Sequence, residues 1–62
     1  MERKFYVVQE VKAGKFATLS TKGFRPRNEN YTQLIFDEET AHCLALAFIE
    51  ETGRKCWVEE AK

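Results

Sequence analysis

The sequence predicts a small two-layer α+β domain in which one helix packs across one face of an antiparallel or mixed sheet of three or four strands, in the order ββ(β)αβ. Three observations predict it: an N-terminal segment rich in β-branched and aromatic residues, one capped amphipathic helix, and a short closing segment of alternating polarity. A chain of 62 residues has room for one hydrophobic core. We therefore expect residues 1–62 to form a single domain.

The first two strands are predicted to form a hairpin. The segment KFYVVQEV, residues 4–11, is apolar on both sides of its two-residue period near its start, which is typical of a central strand. Gly14 supplies a turn, and Ala17 and Leu19 then alternate with Thr18 and Ser20. Residues 23–30, GFRPRNEN, are expected to end the second strand. Residues 31–36, YTQLIF, form either a third strand or an extended lead into the helix.

The helix is predicted between Asp37 as N-cap and Gly53 at the C′ position. Between them, apolar residues recur at the i, i+3, i+4, i+7, i+8 spacing of a buried stripe. The stripe comprises Ala41, Leu44, Ala45, Phe48 and Ile49. Further apolar residues beside the stripe belong either to the core or to a contact surface. They are Cys43, Leu46 and Ala47.

The closing strand, KCWVEEA at residues 55–61, predicts a candidate interface. Its alternation points Cys56 and Val58 one way and Trp57 and Glu59 the other. If the helix covers the Cys56 side, Trp57 emerges on the uncovered face, beside Tyr6 and Val8 if the last strand pairs with the first. Exposed patches rich in Trp and Tyr usually bind proteins. The alternative is that long neighbouring side chains lie across the rings.

The charge is zero overall but uneven along the chain. Residues 1–27 hold seven Lys or Arg against two Glu, and residues 28–62 hold eight Asp or Glu against three Lys or Arg. Glu50 and Glu51 oppose the helix dipole, which makes them candidates for contact with a basic protein surface. Basic residues in the hairpin and loop 12–27 indicate an alternative, binding of nucleic acid through phosphate contacts. They are Lys12, Lys15, Lys22, Arg25 and Arg27. The simpler interpretation is that both groups form solvated faces, and zero net charge is unusual for a nucleic-acid binder.

From the sequence, we expect that this protein is not an enzyme. His42 is the single histidine and neighbours Cys43, but adjacency in sequence does not make a nucleophile and base pair. Cys43 and Cys56 are expected to be reduced thiols without the spacing of a metal site, and no glycine-rich phosphate loop precedes the helix. We therefore expect no catalytic residue, metal, cofactor or small-molecule substrate. With no signal-like N-terminus and no apolar run of membrane-spanning length, we expect a cytoplasmic protein.

The segment FDEETAHCLALAFIEETGRKCWVEEA, residues 36–61, resembles the ends of small, largely uncharacterised open reading frames of bacteriophages and prophages. Phe36, Asp37 and Ala41 occupy the positions of their F-(D/E)-x-x-x-A helix motif. The resemblance implies a ββ(β)αβ accessory protein of the host cytoplasm that binds and redirects macromolecules without catalysis. It carries over no functional residue. We therefore expect a small non-enzymatic binding module that binds a protein or forms a homodimer.

Overall fold

The computed structural model describes residues 3–26 and 31–61, and within them the chain forms an α+β domain of four strands and one helix. The elements are β1 (Lys4–Lys12), β2 (Lys15–Ser20), β3 (Gly23–Arg25), α1 (Glu38–Thr52) and β4 (Cys56–Ala61). The strands lie in the order β3-β2-β1-β4, and every neighbouring pair is antiparallel. The predicted fold class is confirmed. In the described part of the chain, no helix has the length and apolar character needed to cross a bilayer.

Strand β1 is central, as its two apolar sides predict. It pairs with β2 on one edge and with β4 on the other, and residues 5–9 are buried on both faces. The turn to β2 contains Gly14 at φ 78°, a left-handed conformation that glycine adopts without a steric penalty. The register of the hairpin shifts between Glu10 and Lys12, which leaves Val11 exposed near the turn.

The third strand lies earlier in the chain than residues 31–36, which one of the two alternatives made a strand. Gly23, with φ 92°, turns the chain back so that Gly23–Arg25 pairs with β2, and the prediction that residues 23–30 only end the second strand is wrong. The hydroxyl of Ser20 donates to the Gly23 carbonyl at 2.7 Å and accepts from the Lys22 amide at 3.1 Å, which stabilises this tight turn. Residues 27–30 of the predicted loop lie outside the described residues.

Residues 32–35, which we call the wedge segment, contact β1. They lie along the same edge of β1 that pairs with β2 nearer the β1–β2 turn. Phe5 pairs with Glu60 of β4 on one side. On its other side, its amide donates to the Ile35 carbonyl and the Ile35 amide donates back, both at 2.8 Å. Ile35 is buried in the core beside Phe5. The wedge segment is therefore an extended lead into the helix that also makes sheet hydrogen bonds.

The same segment contacts β2 on the edge that faces β1. Ser20 pairs with Gly23 on one side and bridges to Thr32 on the other. The Gln33 amide donates to the Leu19 carbonyl at 2.9 Å. The wedge segment thus fills the gap where β1 and β2 diverge at this end of the sheet.

The helix has the predicted caps. The Asp37 carboxylate accepts from the Thr40 amide at 3.1 Å, and Gly53, at φ 71°, donates its amide to the Ile49 carbonyl at 2.9 Å. Ala41 and Ala45 are buried, which brings the helix close to β1 and β4. The rest of the predicted stripe, Leu44, Phe48 and Ile49, packs partly buried against the core. The three apolar residues beside the stripe, Cys43, Leu46 and Ala47, are exposed and are not part of the core.

Candidate functional site

The two faces of the sheet differ in what covers them. Phe5 and Val7 of β1, Leu19 of β2 and Cys56 of β4 belong to the core cluster that includes the helix residues Ala41 and Ala45. Strand alternation places the intervening side chains on the opposite face, away from the helix. The part of that face which we call the open face comprises Tyr6, Val8, Phe16, Thr18, Trp57 and Glu59.

Two aromatic rings meet on the open face. Phe16 of β2 and Trp57 of β4 have ring centroids 5.6 Å apart with planes at 74°, an edge-to-face pair. Val8 lies between their strands, directly opposite both Thr18 and Trp57. Trp57 is half-buried, whereas Phe16 is 53% exposed. The pair therefore presents a large apolar surface to solvent at a defined position.

One carboxylate orients two of these aromatic side chains. The Trp57 indole Nε1–H donates to Glu59 Oε2 at 2.8 Å, and the Tyr6 hydroxyl donates to Glu59 Oε1 at 3.3 Å. Tyr6 and Glu59 are direct partners in the β1–β4 register, so the backbone brings them together. Within the described residues, the ion pairs formed by basic groups involve Glu38 and Glu60, not Glu59. Glu59 is thus a carboxylate that two neutral donors hold in place and that forms no ion pair with a described basic group.

The open face contains a cavity of about 310 Å³. Its described lining is Tyr6, Val8, Phe16, Thr18, Trp57 and Glu59. This volume is at the lower limit of ligand pockets, which are typically apolar and aromatic with a few placed polar groups. Among the described lining residues, Glu59 is the charged one. The arrangement can therefore bind one side chain or a small apolar group beside a fixed negative charge.

The alternation that predicted this face is confirmed, but the predicted exposure of two of its members is wrong. Val8 pairs with Trp57, and Tyr6 lines the same cavity, as expected if the last strand pairs with the first. Tyr6 is 4% exposed and Val8 is 5% exposed, however. Both lie on the central strand β1, which has a paired strand on each side. Phe16, not Tyr6 or Val8, is the strongly exposed apolar residue of this face.

The acidic candidates Glu50 and Glu51 lie elsewhere. Both are exposed in the last turn of α1, on the side of the sheet opposite Trp57. The structure therefore does not join them to the open face in a single site. A role for them in binding stays a prediction.

The basic candidates do not form one continuous strip. Lys12 and Lys15 pair beside the β1–β2 turn, whereas Lys22 lies in the β2–β3 turn at the other end of β2. Arg25, in β3, pairs with Thr18 of β2. Arg27 lies outside the described residues. A second cavity, of about 370 Å³, brings two of them together. Its described lining is Ser20, Thr21, Lys22, Arg25, Pro26 and Tyr31.

Sequence alternation groups Glu59 with Trp57 but does not by itself assign Phe16 to the open face. Both Trp57 and Glu59 line that face, so the predicted alternation of β4 is confirmed. Phe16 is the residue that sequence reasoning missed, although a signal was present: Ala17 and Leu19 are buried on the helix side, and a two-residue period then places Phe16 on the opposite side. The hydrogen bonds that join Glu59 to Trp57 and Tyr6 carry no signal in the sequence.

The groups with chemical reactivity lie apart from the open face. His42 Nε2 is 3.7 Å from Glu38 Oε2 on the exposed surface of the helix, and the adjacent Cys43 is an exposed free thiol. Cys56 is a buried free thiol on the helix side of β4. Within residues 3–26 and 31–61, no group of three or more His, Cys, Asp or Glu could hold a metal ion.

Comparison with known proteins adds no relative: no family model, no curated protein and no solved structure matches the chain. The function is therefore inferred from the chain's own geometry.

Proposed function

We propose that this protein is a small non-enzymatic binding module that binds a protein partner through the open face. The observation that carries the proposal is the aromatic pair, since Phe16 and Trp57 meet edge to face where the helix does not cover the sheet. Contiguous exposed apolar patches, unlike single exposed residues, usually mark an interface. Trp and Tyr are also enriched among the residues that dominate binding energy.

The hydrogen bond from Trp57 to Glu59 supports this proposal because it fixes the indole before any partner arrives. Association normally costs about 0.5–1.5 kcal/mol for each flexible side chain that must be ordered. A ring already held by a 2.8 Å hydrogen bond and by packing against Phe16 avoids part of that cost. The open face therefore has the preorganised character of a binding surface.

The partner we propose is another protein, with a second copy of this chain as the other possibility to be measured. If the chain is a phage or prophage accessory protein, as its resemblance implies, the partner is a host or phage protein of the cytoplasm. Sedimentation of the purified protein separates the two cases, because self-association alone gives a concentration-dependent mass.

The experiment compares capture by three matched baits: the wild type, Phe16→Ser and Leu46→Ser. Leu46 is 60% exposed on the outer helix surface and is the control for loss of exposed apolar area. We expect Leu46→Ser to retain the partner, or the dimer, and Phe16→Ser to lose it with little change in melting temperature. Loss of the partner or dimer in Leu46→Ser, together with its retention in Phe16→Ser, would contradict the proposal.

A second candidate function, nucleic-acid binding, is favoured by one observation. Lys22, Arg25 and the exposed Tyr31 line one cavity, which combines phosphate-binding cations with a ring on which a base can stack. Binding of this kind weakens steeply as salt rises. A titration with single-stranded oligonucleotides at low and moderate salt tests it, with Lys22→Ser/Arg25→Ser as the variant and Lys12→Ser/Lys15→Ser as the control. Absence of binding by the wild type at low salt would exclude this function.

A further inference from the structure

We propose that the cavity of the open face receives a cationic side chain, lysine or arginine, from the protein partner. This inference rests on the proposed function and specifies the chemistry of the partner. Three features of the described residues carry it: the angle between the rings of Phe16 and Trp57, the hydrogen-bonded carboxylate of Glu59 beside them, and the lack of an ion pair between that carboxylate and a described basic group.

The two rings form adjoining walls. The planes of Phe16 and Trp57 meet at 74°, and both line the cavity of about 310 Å³. The face of an aromatic ring carries partial negative charge, and it attracts a cation placed within about 6 Å of the ring centre. Trp is the strongest of the aromatic side chains in this interaction. Aromatic side chains placed around a cation are also how proteins recognise quaternary ammonium groups.

Glu59 supplies the negative charge at the cavity. Each of its oxygens accepts one hydrogen bond, from Trp57 Nε1 at 2.8 Å and from the Tyr6 hydroxyl at 3.3 Å. A carboxylate has about four acceptor positions, so roughly half of its capacity stays available to a ligand. Its two protein donors are neutral, and no basic group of the described residues forms an ion pair with it. A cationic ligand would therefore find both a charge partner and unused acceptor positions.

Other occupants fit less well. An anionic group would meet the charge of Glu59 without a described basic residue in the cavity lining. A purely apolar side chain would contact Phe16 and Trp57, but it would remove water from Glu59 without replacing the lost hydrogen bonds, which costs free energy. A lysine or arginine side chain avoids both penalties, because its methylene stem packs on the rings while its charged end reaches the carboxylate.

The test uses three acetylated and amidated pentapeptides that are identical except for a central lysine, arginine or norleucine. Norleucine keeps the apolar stem of lysine and lacks the ammonium group. Binding is followed by the NMR shift of the Trp57 indole N–H and by its fluorescence. We expect saturable shifts with the lysine and arginine peptides and binding of the norleucine peptide weaker by about tenfold.

The matched variants are Glu59→Gln and Glu39→Gln. Glutamine at position 59 retains an acceptor for the aromatic donors and removes the charge, and Glu39 is an exposed carboxylate on the helix, away from the cavity. We expect Glu59→Gln to weaken binding of the lysine peptide by about tenfold and Glu39→Gln to leave that binding unchanged. Equal affinity for lysine and norleucine, or an unchanged affinity in Glu59→Gln, would overturn the inference.

The outcomes separate this inference from the proposed function. If Phe16→Ser loses the partner while Glu59→Gln retains it and norleucine binds as well as lysine, the open face is the interface and its ligand is apolar. If neither Phe16→Ser nor Glu59→Gln alters partner capture, the interface lies elsewhere and both proposals fail.

Discussion

Phe24 of β3 packs edge to face against Phe48 of α1, with ring centroids 4.9 Å apart and ring planes at 81°. This contact joins the short outer strand to the helix, and both residues pack partly buried against the core cluster. A domain of this size is only marginally stable, so substitutions that keep some apolar volume are the useful probes.

We expect the variants Phe24→Leu and Phe48→Leu to be coupled. Each removes the ring contact, so the double variant should lose less stability than the two single losses together. The expected coupling is about 0.5–1.5 kcal/mol, the usual strength of an aromatic pair beyond its area burial. Urea unfolding of the wild type, both single variants and the double variant measures it. Strictly additive losses would show that the rings do not interact.

Ala45→Leu should destabilise the domain, whereas Ala47→Leu should not. Ala45 is buried where the helix lies close to the sheet, so a larger side chain there forces the two layers apart. Overpacking of this kind costs about 1–3 kcal/mol. Ala47 is exposed on the same helix and controls for helix propensity. The free energy of unfolding from urea titration gives the comparison, and equal effects would refute the assigned helix orientation.

Asp37→Asn should make the stability of the protein less dependent on pH in acid. Hydrogen bonds from Thr40, through its side chain first and its backbone second, lower the pKa of Asp37 from its ordinary value. A carboxyl group with a lowered folded pKa contributes stability above its unfolded pKa and loses that contribution as the pH falls through the folded pKa. Asparagine can still cap the helix but does not titrate. The gap in melting temperature between wild type and variant should therefore be larger at pH 7 than below about pH 4. Parallel curves of melting temperature against pH would contradict this expectation.

Gly53→Ala should destabilise the protein through backbone conformation alone. Gly53 ends the helix at φ 71°, yet a β-carbon built there meets no atom within 4 Å. The penalty is therefore that of a left-handed L-residue, about 1–2 kcal/mol. Gly53→Asn should cost less, because asparagine tolerates this conformation. Thermal melts of the two variants provide the measurement, and equal losses would point to a steric cause.

The two thiols should react with Ellman's reagent at very different rates. Cys43 is exposed on the helix, and Cys56 is buried in β4, where the Gln9 side-chain amide contacts its sulfur at 3.7 Å. We expect one fast equivalent from the native protein and a second after denaturation. Cys43→Ser should remove the fast phase. Two fast equivalents in the native protein would mean that β4 is not held against the sheet.

The parts of the fold that were predicted correctly are those with a periodic or capping signal. Asp37, Gly53 and the helix stripe carry strong local information, and the alternation of β1 and β4 predicted which side chains share a face. The short strand β3 has no such signal. Its three residues follow a two-residue turn, and Gly23 permits such a turn without requiring it. The pairing with β2 also depends on contacts distant from the turn, such as that between Phe24 and Phe48.

The candidate site was predicted only in part because burial depends on neighbouring strands. Alternation placed Trp57 beside Tyr6 and Val8, but a single strand gives no information on how far rings from β2 and β4 cover the central strand. The role of Glu59 depends on hydrogen bonds from Trp57 and Tyr6, which the sequence does not specify. The sequence likewise does not specify that Lys22 and Tyr31 line one cavity, because only the fold brings them together.

The wedge segment has a consequence for the alignment of the sheet. A hairpin such as β1–β2 can in general slide by two residues and keep its side chains on the same faces, so alternation alone does not forbid the slip. Here Ile35 occupies the free edge of Phe5 with two hydrogen bonds of 2.8 Å, and Gln33 bonds Leu19 at 2.9 Å. In a slipped hairpin, the backbone groups of Phe5 and Leu19 would bond the neighbouring strand and could not bond the wedge segment. The wedge segment therefore fixes the alignment of β1 with β2. Contacts at one end of the sheet thus maintain the register that places Val8 beside Phe16 and Trp57.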